Sequence, residues 1–187
     1  MRGGCQAVVE LLATEIENYN CITQVISELK NKWFVTPLHT AILNGHLNIF
    51  KFFISEKNCG PNIPGSSIHR FPLHAAAESG HLHIVKYLTD ELGCNPSCLD
   101  NVKYTPMHCA AMNGHMNVVK FLAVEKHCDP MCITHDQSTP LHKAAKNGYI
   151  DIEKFLTLEM HCDPSSKNAF DATALHEAVR KGNLDIV

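Results

Sequence analysis

A chain of 187 residues, 45% of them hydrophobic, can bury a core and is not disordered by composition. Its net charge of −3, with 13 His, offers no broad cationic field, which argues against nucleic acid as the main partner and against polybasic docking on a membrane. No stretch approaches the roughly 20 consecutive apolar residues a membrane helix needs, and Glu10 interrupts any signal-like apolar run at the start.

These exclusions point to the cytoplasm, with the nucleus as the other compartment. Cysteine usage agrees: nine Cys is an odd number, and a density of about 5% falls below the roughly 8% of disulfide-stapled secreted domains, so reduced thiols are expected.

In chain order, residues 1–35 read as a helical N-terminal cap or degenerate repeat. Gly4 to Leu12 aligns with Gly114 to Leu122, and Ile22, Val25, Ile26 and Leu29 form an apolar series at helical spacing, with Trp33 anchoring the join.

From residue 36 a strict period takes over. Thr36-Pro37-Leu38-His39, Phe71-Pro72-Leu73-His74, Thr105-Pro106-Met107-His108, Thr139-Pro140-Leu141-His142 and Thr173-Ala174-Leu175-His176 start 35, 34, 34 and 34 residues apart. In step with them come Gly45, Gly80, Gly114, Gly148 and Gly182, followed by His46, His81, His115, Tyr149 and Asn183.

Each unit predicts a short helix A ended by a left-handed Gly; in the third, Thr105 can cap it through its hydroxyl while Pro106 takes the first helical position. In the third unit Cys109-Ala110-Ala111 keeps helix A thin. Helix B follows, with an apolar stripe such as Leu82, Ile84, Val85, Tyr87 and Leu88. At about ten residues it is too short to stand alone and must pack on its neighbours. Cys59, Cys94, Cys128 and Cys162 close the units, and the Pro two residues further on is expected to end helix B.

These motifs resemble the ankyrin repeat family over residues 36–187, about four-fifths of the chain. The resemblance implies an all-α solenoid of stacked helix-turn-helix units with projecting hairpin-like loops. The units would be residues 36–70, 71–104, 105–138 and 139–172, with a truncated fifth over 173–187. The fifth unit stops within its helix B with nothing polar to close the stack, so the sequence predicts a segment of a longer array or a frayed end. The family places Gly two residues before the Thr, whereas this chain has His69, Lys103, Gln137 and Asp171 there. Without Gly the left-handed conformation is costlier, so other turns are expected in these fingers.

Ten of the 13 His recur with the repeat and are read as structural. The zinc candidate is Cys128, Cys132 and His135, beside His127, whose thiol and imidazole types suit tetrahedral zinc but whose spacing fits loosely. No G-x-S-x-G, phosphate-cradling Gly loop or H-E-x-x-H is present. The expectation is therefore no catalytic residue, metal or cofactor, with a zinc-binding or enzymatic protein as the remote alternative.

The resemblance implies binding of a protein partner on the fingers and the exposed positions of helix A. Carried over, those positions are Thr40, Leu43 and Asn44; Ala75, Glu78 and Ser79; Cys109, Met112 and Asn113; Lys143, Lys146 and Asn147; and Glu177, Arg180 and Lys181. Ile68, Arg70, Tyr104 and Phe170 would add finger contacts. Lys143, Lys146, Arg180 and Lys181 predict an acidic segment in the partner, with Met112 in the apolar middle. The chain would act as a monomer or a segment of a longer chain, as a scaffold or as the repeat array of a larger channel, kinase or adaptor.

Overall fold

In the computed structural model, residues 37–55, 60–62 and 70–183 are described. Nine helices are found among them. They are α1 (Pro37–Leu43), α2 (Leu47–Ser55), α3 (Pro72–Glu78), α4 (Leu82–Lys86), α5 (Pro106–Met112), α6 (Met116–Lys120), α7 (Pro140–Asn147), α8 (Ile150–Lys154) and α9 (Ala174–Lys181). Helices α4, α6 and α8 run on into π-helical turns over Tyr87–Glu91, Phe121–Glu125 and Phe155–Glu159. The N-terminal cap with Trp33, and the start of the fifth helix B, lie outside the described residues.

The architecture is an all-α repeat solenoid. The odd-numbered helices are the A helices and pack in one row, each against the next. Small side chains allow this approach: Ala75, Ala76 and Ala77 in α3, Cys109, Ala110 and Ala111 in α5, and Ala144 and Ala145 in α7 are buried. The even-numbered helices and their π-helical turns form the second row and contribute Phe50, Ile84, Val85, Leu88, Val118, Val119, Leu122, Ile152 and Leu156 to one continuous core. Three of the four B helices also lay a lysine over the next repeat's ring, Lys51 over Tyr87 at 4.6 Å, Lys86 over Phe121 at 5.0 Å and Lys120 over Phe155 at 5.2 Å. In α9, Leu175 and Val179 are exposed where Leu141 and Ala145 of α7 are buried.

The capping Thr works with a histidine three residues on. Thr105 Oγ1 accepts from the His108 backbone N–H, while His108 Nδ1 accepts from the Thr105 N–H at 3.2 Å. Thr139 with His142 and Thr173 with His176 repeat the pattern. At Phe71 no hydroxyl is available; the Phe71 N–H donates to His74 Nδ1 at 3.3 Å and the His74 N–H donates to Phe71 O at 2.9 Å.

The opposite ring nitrogen joins successive repeats. His74 Nε2 donates to Tyr104 O at 2.9 Å, His108 Nε2 to Ser138 O at 3.1 Å and His142 Nε2 to Ala172 O at 3.1 Å. His74, His108 and His142 are therefore inter-repeat ties.

Gly45, Gly80, Gly114, Gly148 and Gly182 take φ between 72° and 81°, as a left-handed helix stop requires. The stop of helix B differs from the sequence expectation. Proline is not the terminator: Gly93, His127 and His161 turn left-handed at φ 63°, 52° and 55°, before Pro96, Pro130 and Pro164 are reached. This turn lets the Cys94, Cys128 and Cys162 N–H groups return to Leu88 O, Leu122 O and Leu156 O at 2.9, 3.0 and 2.9 Å. The cysteine period thus reflects a backbone cap with a small buried side chain behind it.

The finger expectation is also corrected. Lys103, Gln137 and Asp171 adopt left-handed φ of 60°, 56° and 58° without Gly. A polar side chain at the finger's root offsets the strain by accepting loop amides. Asp100 Oδ1 accepts from Val102 and Tyr104 N–H at 2.9 and 2.8 Å, and Asn168 Oδ1 accepts from Phe170 and Ala172 N–H at 2.9 and 3.2 Å. Thr134 does the same for Ser138 N–H at 3.2 Å.

Candidate functional surface

The A helices and fingers present the residues predicted to meet a partner, but the packing sorts them differently. Ile68 lies outside the described residues. Thr40 and Leu43 are exposed as expected. Ala75 and Cys109 are buried, because the A helices stand close enough to close over them.

Lys143 is likewise no surface cation: it is 5% exposed, with its Nζ 3.1 Å from Asp136 and 5.0 Å from the Tyr104 ring centre. Burial alone would raise the Asp136 carboxyl, yet hydrogen bonds from Thr134 and Lys143 outweigh it and hold the group at about 2. Lys143→Glu should therefore unfold rather than probe: like charges would meet in a buried site, with about 3 kcal/mol lost in denaturant unfolding. Lys143→Met, which keeps the stem's packing, should lose clearly less.

The remaining predicted cations divide into paired and open. Arg70 is half-buried, bonds Glu78 and Asp100, the latter at 3.4 Å, and lies 5.8 Å from the Tyr104 ring centre. Tyr104 is half-buried between Arg70 and Lys143 and packs on His108 at 5.5 Å. Arg180 pairs with the buried Glu177, which also accepts from Asn168 Nδ2 at 3.1 Å. The finger acids Asp100 and Asp136 were not legible as partners of this row, since Asp100 reaches back 30 residues to Arg70 and Asp136 lies in a loop seven residues before Lys143.

Lys146 and Lys181 are different: among the described residues neither has an ion pair, and Lys181 is exposed. Met112 is half-buried, and its carbonyl accepts from Asn147 Nδ2 at 2.9 Å. Phe170 is 71% exposed at its fingertip.

The zinc candidates do not converge. His135 is exposed, whereas Cys128 is buried. The Cys132 thiol faces Thr105 Oγ1 and His108 Nδ1 at 3.7 and 3.8 Å. Among the described residues no three His, Cys, Asp or Glu side chains are grouped to hold a metal ion. Burial pushes the Cys98 and Cys109 thiols up to about 12 and Cys132 and Cys162 up to about 11, so these groups are protonated rather than nucleophilic at neutral pH. No helix among the described residues is long and apolar enough to cross a membrane.

A family model described as ankyrin repeats (3 copies) matches residues 2–100, 57–134, 73–168 and 124–187. The chain belongs to the ankyrin repeat family. No curated protein matches it. Ankyrin repeats are in general protein–protein interaction modules.

Proposed function

We propose that this ankyrin chain is a non-catalytic protein-binding module or scaffold that takes a partner on its fingers and A helices, with an acidic segment of that partner lying over the fourth and fifth repeats. The observation that carries the reading is the contrast among its cations. Lys143, Arg70 and Arg180 are engaged by carboxylates of the chain itself, while Lys146 and Lys181 have no ion pair among the described residues. Unpaired cations on a binding face attract acidic partners and speed their encounter. The free thiols of the described cysteines support a reducing compartment, the cytoplasm or the nucleus.

The test compares partner capture by the native chain and by a Lys146→Glu, Lys181→Glu double variant, both first shown to unfold at the same denaturant midpoint. A partner held by the native chain should bind the variant about 1 to 3 kcal/mol more weakly, with a shallower salt dependence. Equal binding of the same partner to both chains would place the site elsewhere on the stack.

A further inference from the structure

The outer side of the B-helix row changes character along the stack. At one register of the repeat the units carry Ser55, Asp90, Val124 and Leu158 in turn, so two polar residues are followed by two apolar ones. Between the second and third units charged side chains close this surface. Lys86 Nζ lies 3.7 Å from Glu125 and Lys126 Nζ 2.5 Å from Asp90, and the two lysines cover the buried Phe121 ring at 5.0 and 5.5 Å from its centre.

One unit later the same four positions hold Lys120 with Glu159 and Met160 with Val124. One ion pair is thus replaced by two apolar side chains, and among the described residues Lys120 and Glu159 form no ion pair with each other. The lysine-over-ring contact persists, with Lys120 Nζ 5.2 Å from the Phe155 ring centre.

Where this clamp is missing, a groove of about 420 Å³ opens between α6 and α8. Met116, Phe155 and Leu158 give it an apolar lining, and Leu158 is 70% exposed. Lys120, Lys154, Asp151 and Glu159 supply two charges of each sign around it, and among the described residues none of the four is in an ion pair. A partner charged with one sign would be attracted and repelled there in equal measure. A surface that joins balanced charges to an exposed leucine and an open groove is complementary to its own copy turned about a two-fold axis.

We propose that this groove is a self-association site: two copies of the chain meet through their B helices, Leu158 of each entering the groove of the other and Lys120 of each facing Glu159 of the other. The result is a dimer in place of the monomer expected from the sequence. Its interface uses B-helix residues alone, so it stands independently of the partner reading above. The A helices and fingers stay free, and the pair would present two partner-binding faces at once, which raises the avidity for any repeated ligand.

The test is sedimentation equilibrium of the full chain at rising concentration. Lys120, Leu158 and Glu159 are all exposed, so substitutions there should keep the native denaturant midpoint. The native chain should show a monomer–dimer equilibrium with a Kd of about 10 to 100 µM, as expected of a small interface. Leu158→Ala should weaken it about tenfold. Lys120→Glu and Glu159→Lys should each weaken it about tenfold as well, because each sets like charges across the two-fold axis. An equimolar mixture of those two variants should associate at least as tightly as the native chain, since both cross-copy pairs are then of opposite sign. Phe170→Ala, on a finger, should leave the equilibrium unchanged.

A chain that stays monomeric up to about 1 mM overturns the proposal and leaves the groove to a different protein. Association that Leu158→Ala does not weaken, that Phe170→Ala abolishes, or that the mixture of charge variants does not restore overturns it too, since the copies would then meet elsewhere.

Discussion

Gly80→Ala is expected to destabilise the stack by about 3 kcal/mol in denaturant unfolding, far more than helix propensity predicts. Two effects combine. The backbone there has φ 72°, where an L side chain costs about 1 kcal/mol, and a Cβ would lie 2.4 Å from the His115 ring of the next repeat. That ring cannot simply swing away, because His115 Nε2 bonds Glu78 O at 2.9 Å. Gly93→Ala is the control: φ is 63°, but nothing lies within 4 Å of the added Cβ, so only about 1 kcal/mol should be lost. His127 and His161 already occupy that conformation in the next two repeats. Adding His115→Ala to Gly80→Ala should remove the steric part, leaving a non-additive double-mutant cycle. Equal losses for the two glycine variants would sink the explanation.

The stack should also lose stability on mild acidification, between about pH 6.5 and pH 4. His74, His108 and His142 are held neutral chiefly by burial, His108 with its pKa lowered to about 4 from 6.5. Hydrogen bonds to Tyr104, Ser138 and Ala172 carbonyls and nearby Asp100, Asp136 and Glu177 oppose the shift without cancelling it, while Arg70 and Lys143 reinforce it.

A histidine whose folded pKa lies below its unfolded value binds more protons when unfolded. Its contribution is therefore complete above pH 6.5 and is lost as the pH falls toward the folded value. For His108 alone the shift corresponds to about 3 kcal/mol. The chemistry explains the direction: protonated Nδ1 would confront the Thr105 N–H it now accepts from. Stability measured at pH 7 and pH 4.5 should show this loss, and His108→Gln should have a shallower slope by about one proton. A flat profile over that window would contradict the buried neutral assignment.

The repeat length, the capping Thr, the left-handed Gly and the thin A helices were legible because each is a local requirement repeated at a fixed interval. Local reasoning failed where a second contact overrode it. Missing Gly in the fingers suggested another turn, yet Asp100, Thr134 and Asn168 accept amides within their own fingers and sustain left-handed Lys103, Gln137 and Asp171. Proline was read as the end of helix B, although a left-handed residue three positions earlier already turns the chain.

The binding face was less legible than the fold. Lys143 occupies the same register as Ala75, Cys109 and Glu177, and the structure buries all four. A charged residue in that row is tolerated because a finger supplies Asp136 to one and Asn168 to another. Sequence by itself determined the fold class, the repeat and the histidine and glycine positions, since these follow from backbone geometry within one unit. Only the tertiary structure decided which cations are open and why Gly80 cannot bear a side chain, because each depends on what a neighbouring finger or repeat places against it.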